Sequence, residues 1–306
     1  MNHPSPRTAH SAAHRPHEQE HVNEHEHEHG HGHGHEHQAG DQSEILDLDA
    51  EVLAEHIASI TAWLPVGTGP SRIVDLGCGT GAGTLALLER FPEAEVTAVD
   101  VSETHLHRLR EKAVAAGVAD RVRIVRADLD ATAWPELGAP ELVWASASLH
   151  HMADPGRALR RVHDLLAPGG LFAVVELAGF PRFLPGSAPQ DAPGLEDRCH
   201  AALDRHHAEH LSHRGADWAT ELAKAGFTVE GERTVTVDIG PTHTDAVGRY
   251  ALSSLRRMRA GVASALTAED LTAFDRLLDA DGPHGIVHHP DLGVRTERTV
   301  WAARRT

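Results

Sequence analysis

Asp75, Asp100 and Asp128 each stand at the end of a short apolar run, and the first opens the segment Asp75-Leu76-Gly77-Cys78-Gly79-Thr80-Gly81. Glycines at alternate positions let the chain bend sharply and let a ligand approach the backbone without meeting a side chain. A helix that begins at such a turn offers unpaired N–H groups to anionic oxygen. Asp100 lies 23 residues after Gly77, where a strand-end carboxylate can accept hydrogen bonds from both hydroxyls of a ribose. Asp128, one run further on, can receive the amino group of a base, with Val101 and Leu129 as apolar walls. Three acids at three successive strand ends describe one nucleoside-bearing ligand lying across an edge. Gly77, Gly79 and Ala82 also satisfy the dinucleotide pattern G-x-G-x-x-G/A. Asp75 separates the two possibilities, because a carboxylate beside the turn repels a pyrophosphate but suits a ligand with an ammonium group and a sulfonium centre.

A second chemical group follows. The run from Trp144 to Pro155 carries His150 and His151, and imidazole exchanges protons near neutral pH. Both are candidates for substrate contact or deprotonation; the plain alternative is that one packs under the next helix and the other is solvated. Glu176, near the end of a further apolar run, is expected at the same edge. His206 and His210 share a helical face with a spacing able to chelate a metal, but together with His200 and His207 they lack an acidic or cysteine partner and are expected to be solvated or to face substrate. Arg256, Arg257 and Arg259 could receive a carboxylate, although a solvated helix face is the default.

These residues need elements to position them. Apolar positions recur at helical spacing from Ile45 to Leu64, before Pro65 and Gly67. Strands are expected at 71–76, 95–100, 122–128, 141–148 and 171–177. Helices are expected between them at 80–90, from Ser102 to Gly117 with Leu106, Leu109, Ala113 and Val114 inward, and at 154–166. Strands alternating with helices imply a parallel sheet covered on both faces. After Gly179 the chain changes character. A proline- and glycine-rich loop over 180–194 leads to a helix over 195–213, then a helix ending near Ala225 and a strand at 228–239. Two helices at 244–262 and 267–280 precede a last strand at 296–303.

The glycine turn, the two acids after it and the Leu-Ala-Pro-Gly-Gly turn at 166–170 together resemble the class I S-adenosylmethionine-dependent methyltransferases, in their small-molecule branch of the type 11, 12 and 25 kind. The likeness covers about residues 71–178 and, in outline, the last two strands. It implies a Rossmann-like α/β fold with a seven-stranded, mostly parallel sheet, helices on both faces and helical insertions. It implies that Asp75, Gly77, Cys78, Gly79, Thr80 and Gly81 hold the methionine end of the cofactor, Asp100 the ribose, and Asp128 the adenine beside Val101 and Leu129. Ser146 begins the strand-end segment that passes between cofactor and acceptor. That segment is similar to its counterpart in trans-aconitate-type methyltransferases, and the Asn/Asp-Pro-Pro-Tyr/Phe run common in nucleic-acid enzymes is absent. His150, His151 and Glu176 are the catalytic candidates, and the resemblance implies S-adenosylmethionine and a small organic acceptor. The insertions at 180–213 and 241–292 are expected over the acceptor, the first as a lid.

The rest of the composition sets bounds. With 28 Lys+Arg against 45 Asp+Glu the chain carries a formal charge of −17, which weighs against nucleic acid as a partner. No apolar run nears the roughly 20 residues of a membrane span, and no signal-peptide core opens the chain. The only cysteines, Cys78 and Cys199, make no disulfide framework, so the cytoplasm is expected. Twelve of the 27 histidines fall in the first 37 residues. Residues 1–42 are too polar to offset their ordering entropy and are expected to be a disordered tail before a 43–306 domain. Its ladder His25, His27, His29, His31, His33, His35 and His37 can wrap nickel or zinc, a capacity expected to be adventitious. Two other functions stay open: a nicotinamide-dependent oxidoreductase on a related sheet, and a metal-buffering protein acting through the tail. Oligomeric state is not legible.

Overall fold

The computed structural model describes residues 32–67, 69–210, 213–242 and 244–306. Seven strands form one sheet in the order β3-β2-β1-β4-β5-β7-β6. β1 (Arg72–Leu76), β2 (Glu95–Asp100), β3 (Val122–Arg126), β4 (Leu142–Ser146) and β5 (Leu171–Leu177) run parallel. β7 (Val294–Arg305) lies antiparallel to β5 and to β6 (Phe227–Ile239). This is the expected seven-stranded, mostly parallel sheet. Strand order reverses between β1 and β4, and in an open parallel sheet the ligand crevice lies at the carboxyl ends on either side of such a switch.

The central strands are mostly apolar because both faces are covered, with Asp75 and Glu176 as buried exceptions. On one face α5 (Pro155–Leu165) and α7 (Trp218–Lys224) bury Leu159, Val162, Trp218 and Leu222 against Val74, Val143, Phe172 and Trp301. On the other, α2 (Ala54–Trp63) and α3 (Ala82–Arg90) bury Ile60, Leu87 and Leu88 against Ile73, Trp144, Ala173 and Val300. Several helices start where a side chain caps the first turn: Ser102 before α4 (Glu103–Ala115), Asp154 with Pro155 before α5, and Asp217 before α7.

The additions form a third body. The 180–194 loop, α6 (Leu195–His210), α8 (Asp245–Val262) and α9 (Ala268–Leu277) share one apolar interior around Phe183, Leu195, Cys199, Tyr250, Leu255 and Phe274. Glu196 fastens the loop by accepting from the amides of Phe183 and Leu184 at 2.8 and 2.9 Å.

Four expectations change. The helix expected over 45–64 is two: α1 (Gly32–Val52) stops at Leu53, which has φ −104° and ψ 16°, before α2 begins. α1 starts at Gly32, so the boundary proposed at residue 42 falls inside a helix that continues backward from the packed segment. Val114, expected to face inward, is 64% exposed, because Leu109 and Ala113 already fill that stripe of α4. β3 ends at Arg126 rather than Asp128. His25, His27, His29 and His31 lie outside the described residues, as do the side chains of His33, His35, His37, His206, His207 and His210.

Candidate active site

The glycine turn is tied to its neighbour before any ligand is considered. The amides of Gly77 and Cys78 both donate to the Val99 carbonyl, at 2.8 and 3.0 Å, and Gly81 N donates to Cys78 O at 2.9 Å. Gly77, Gly79 and Gly81 have φ of 68°, 53° and 94°, the left-handed region that costs a side chain dearly. Gly77 and Gly81 are further required by the protein's own packing, since a Cβ would stand 2.5 Å from Ser148 Cβ and 2.3 Å from Leu109 Cδ1 respectively. Gly81 caps α3 without a side chain; the Thr84 amide turns to Asp75, and the amides of Ala82 and Gly83 are left to face an anionic group.

Asp100 is the acid that meets this turn. Its Oδ2 accepts from Gly79 N at 2.9 Å, its Oδ1 from Ser102 N at 2.8 Å, and His105 Nδ1 stands 3.5 Å from Oδ1. Burial alone would raise its pKa, but the contacts with His105, Ser102 and Gly79 outweigh it and hold the carboxyl below the usual range. It is therefore ionised at neutral pH, with lone pairs left on both oxygens for hydroxyl donors. Val101 beside it is 60% exposed, an apolar surface open at the edge. Asp128 follows β3, exposed, with Oδ1 accepting from Asp130 N at 2.8 Å, and Leu129 is half-buried.

Asp75, expected at the methionine end, lies beneath the turn. It is 1% exposed under the turn, and Thr84 Oγ1 donates to its Oδ2 at 2.6 Å. Its carboxyl is pushed up to about 7, chiefly by burial, with a further push from the charge on Asp100 against the Thr84 bond. The sequence argument against a pyrophosphate therefore passes from Asp75 to Asp100, whose charge is held against the middle of the turn. Cys78 is buried with its thiol pushed well above the ordinary range, by burial first, so it is not a nucleophile. Thr80 is buried and its hydroxyl accepts from Lys112 Nζ at 3.1 Å.

β4 and β5 bring the second group to the same edge. Ala147, just past Ser146, takes φ 51°, a strained conformation for a residue with a Cβ, and its amide donates to Val175 O at 2.8 Å. The chain then turns back: Ser148 Oγ donates to Leu76 O at 2.9 Å, which ties the β4 end to the glycine turn. The next residues form a short 3-10 turn, Leu149–His151. Glu176 Oε1 accepts from Leu149 N at 3.1 Å, and its Oε2 lies 2.5 Å from His150 Nδ1. His150 and Glu176 are both buried, whereas His151 is exposed, its ring centroid 4.1 Å from that of His150.

Two side chains escaped the sequence reading. His105 supports Asp100 from α4; its only signal is its place one turn into a helix that starts beside that acid. Arg214 stacks over Phe180 at 4.0 Å and lies within electrostatic reach of Glu176; burial lowers its pKa. Nothing in its neighbourhood along the chain announces either contact. Of the expected cluster on α8, Arg256 and Arg257 are exposed and Arg259 pairs with Asp275 at 3.0 Å. His200 sits 3.7 Å from Glu196 inside the added body. Among the described residues no group of three or more His, Cys, Asp or Glu side chains could hold a metal, and no helix is long and apolar enough to cross a membrane.

Comparison with known proteins agrees with this fold. Residues 73–170 match a methyltransferase domain. Trans-aconitate 2-methyltransferase of Methylobacterium radiotolerans is 38% identical over 117 residues, covering 38% of this chain and 42% of that protein. 27-O-demethylrifamycin SV methyltransferase of Amycolatopsis mediterranei is 27% identical over 215 residues, 69% of this chain and 72% of that one. The chain thus spans less than half the length of the first of these relatives. A crystal structure from Bacillus halodurans, described as a methyltransferase, shares the fold with a TM-score of 0.52 at 16% identity, over 81% of this chain and 98% of that one. Residues 73–170 thus carry a methyltransferase domain, and the sheet around it has the fold of that methyltransferase structure.

Proposed function

We propose that the protein transfers a methyl group from S-adenosylmethionine to a small organic acceptor, with His150 as the base that takes the acceptor's proton. The observation that carries this reading is the shared edge: an ionised Asp100 bonded to Gly79, and a His150–Glu176 pair tied to the same turn through Ser148 and Leu76. The donor set fits the cofactor. Asp100 offers acceptors to a ribose diol, Val101 an apolar face, and the start of α3 the amides of Ala82 and Gly83 to a carboxylate. Asp128 and Leu129, just past the end of β3, are assigned to the adenine. When bound, the cofactor supplies a methyl group made electrophilic by its sulfonium.

The protein's own contribution is alignment, exclusion of water and movement of one proton. Glu176 accepts at Oε2, so Nδ1 of a neutral His150 carries the hydrogen and Nε2 is left as the basic atom. Once Nε2 has taken a proton, the Glu176 carboxylate stabilises the imidazolium. A hydroxyl acceptor suits this arrangement, and the rifamycin relative is named for O-methylation. Arg214 over Phe180 favours an acceptor that also carries negative charge, in keeping with the acid named in the trans-aconitate relatives. The insertions 180–213 and 241–292 would enclose it, in a domain that includes α1 and would work in the cytoplasm without nucleic acid. Nickel or zinc on the tail would be incidental to this chemistry.

Calorimetric titration with S-adenosylhomocysteine and with NAD separates the main alternatives. Saturable binding of the first and none of the second is expected. The reverse result would replace methyl transfer by a nicotinamide-dependent reaction.

A further inference from the structure

α1 runs along the sheet edge, and three of its acids are fastened to three different elements. Glu44 pairs with Arg249 of α8 at 3.0 Å. Asp47 pairs with Arg108 of α4 at 2.6 Å and with Lys112 of the same helix. Asp49 accepts from Arg298 of β7 at 2.6 and 2.7 Å and from Tyr250 Oη of α8 at 2.6 Å. Lys112 reaches on to Thr80 Oγ1, so the second of these fastenings ends on the glycine turn itself.

Leu46 completes the contact. Of the three turn glycines, Gly77 and Gly81 face Ser148 and Leu109, but Gly79 faces α1: a Cβ there would stand 3.3 Å from Leu46 Cδ1. Gly79 is also the residue whose amide holds Asp100. Further along the same helix, Leu48 is buried with Phe183, Tyr250 and Leu255 of the added body. α1 therefore spans from the cofactor half of the edge to the acceptor half. Its root is different in kind. α2 is anchored by buried Ile57, Ile60 and Thr61, and α1 leaves it at the single non-helical residue Leu53.

We propose that Leu46 and Asp47 form the outer wall of the cofactor site, and that α1 is an ion-paired strap which must lift about Leu53 for the cofactor to enter or leave. The proposal rests on the methyltransferase reading for the identity of the ligand. Burial by itself would raise the Asp47 carboxyl, but Lys112, Thr80 and Arg108 hold it below the ordinary range, so the fastening stays charged at neutral pH. Half-exposed ion pairs of this sort are loosened by salt, whereas the Leu46 contact is not.

The test is stopped-flow release of S-adenosylhomocysteine from the full chain, for wild type, Asp47→Asn and Leu46→Ala, at low and high ionic strength. Amide hydrogen exchange over residues 43–52 is followed in parallel, with and without that ligand. Both variants should melt like wild type and release the ligand about tenfold faster, since changes at one interface act mainly on dissociation. Wild-type release should quicken with salt more than that of Asp47→Asn, and the ligand should slow exchange over 43–52. Release at the wild-type rate in both variants would overturn the strap, as would ligand protection confined to residues 77–81. If wild type binds no S-adenosylhomocysteine at all, the cofactor reading fails and the strap with it; intact binding with unchanged release removes the strap alone.

Discussion

Glu176 holds two successive residues at once, the amide of Leu149 through Oε1 and the ring of His150 through Oε2 at 2.5 Å. One carboxylate on β5 thereby sets both the backbone and the tautomer of the candidate base on the β4 turn. Glu176→Gln preserves the shape, but its amide group presents a hydrogen to Nδ1, which drives the ring hydrogen to Nε2 and disables the base. With an acceptor in hand, kcat should fall about 10²- to 10³-fold, the range of general-base catalysis. Affinity for S-adenosylhomocysteine should not change. Full turnover in both Glu176→Gln and His150→Gln would show that the acceptor needs no proton removed here.

Asp100→Ala should weaken S-adenosylhomocysteine binding by about 1–3 kcal/mol, because two ribose hydroxyls lose their acceptor. The substitution also strands the Gly79 and Ser102 amides that Asp100 satisfies. Calorimetry should therefore be paired with thermal melting. Unchanged affinity in a folded variant would take Asp100 out of the site.

The sheet was readable because its strands are short apolar runs closed by Gly, Pro and Asp; β5 has the bounds expected of it, Leu171–Leu177, between Gly170 and the change of character after Gly179. The α1–α2 break was not, since Leu53 is a good helix former with no glycine or proline beside it and only packing displaces it. Strand-end spacing located Asp75 and Asp100 alike but said nothing of depth, and they differ in kind: one is sealed under the turn, the other bonded to its crest. Contacts such as Asp49 with Arg298 and Leu46 with Gly79 join segments remote in sequence and carry no local signal.

The proposed lid at 180–213 meets a packed interior. Phe183 and Leu195 are 1% exposed within the same cluster as α8 and α9. Hydrogen exchange of the free protein should therefore show 183–203 and 247–262 protected to a similar degree, opening together if they open. Fast exchange confined to 183–203, slowed by cofactor and acceptor, would restore an independent lid there.

Among the described side chains of α1 the ion pairs begin at Glu44, and deleting residues 1–40 spares these. The shortened protein should melt and bind S-adenosylhomocysteine as the full chain does in the presence of chelator. It should lose most nickel or zinc uptake, since the ladder from His25 to His37 goes with the deletion. A large loss of cofactor affinity would instead make the tail part of the site.

Asp75 gives the stability of the fold a pH dependence of known sign. In the unfolded chain an aspartate releases its proton near pH 4, whereas burial holds the folded carboxyl at about 7. Between those values the folded state keeps a proton that the unfolded state has lost, so this group favours folding less and less as the pH rises through the window. Asp75→Asn is neutral at every pH and can still accept from Thr84 Oγ1. Urea unfolding at pH 5 and pH 8 should show the variant gaining on wild type by on the order of a few kcal/mol. A difference that stays flat across that range would mean that Asp75 is ionised in the folded protein. The charge under the glycine turn would then need a partner, and the unbonded Trp144 Nε1, next to Gly83 and the Asp75 carboxylate, is the group placed to supply it.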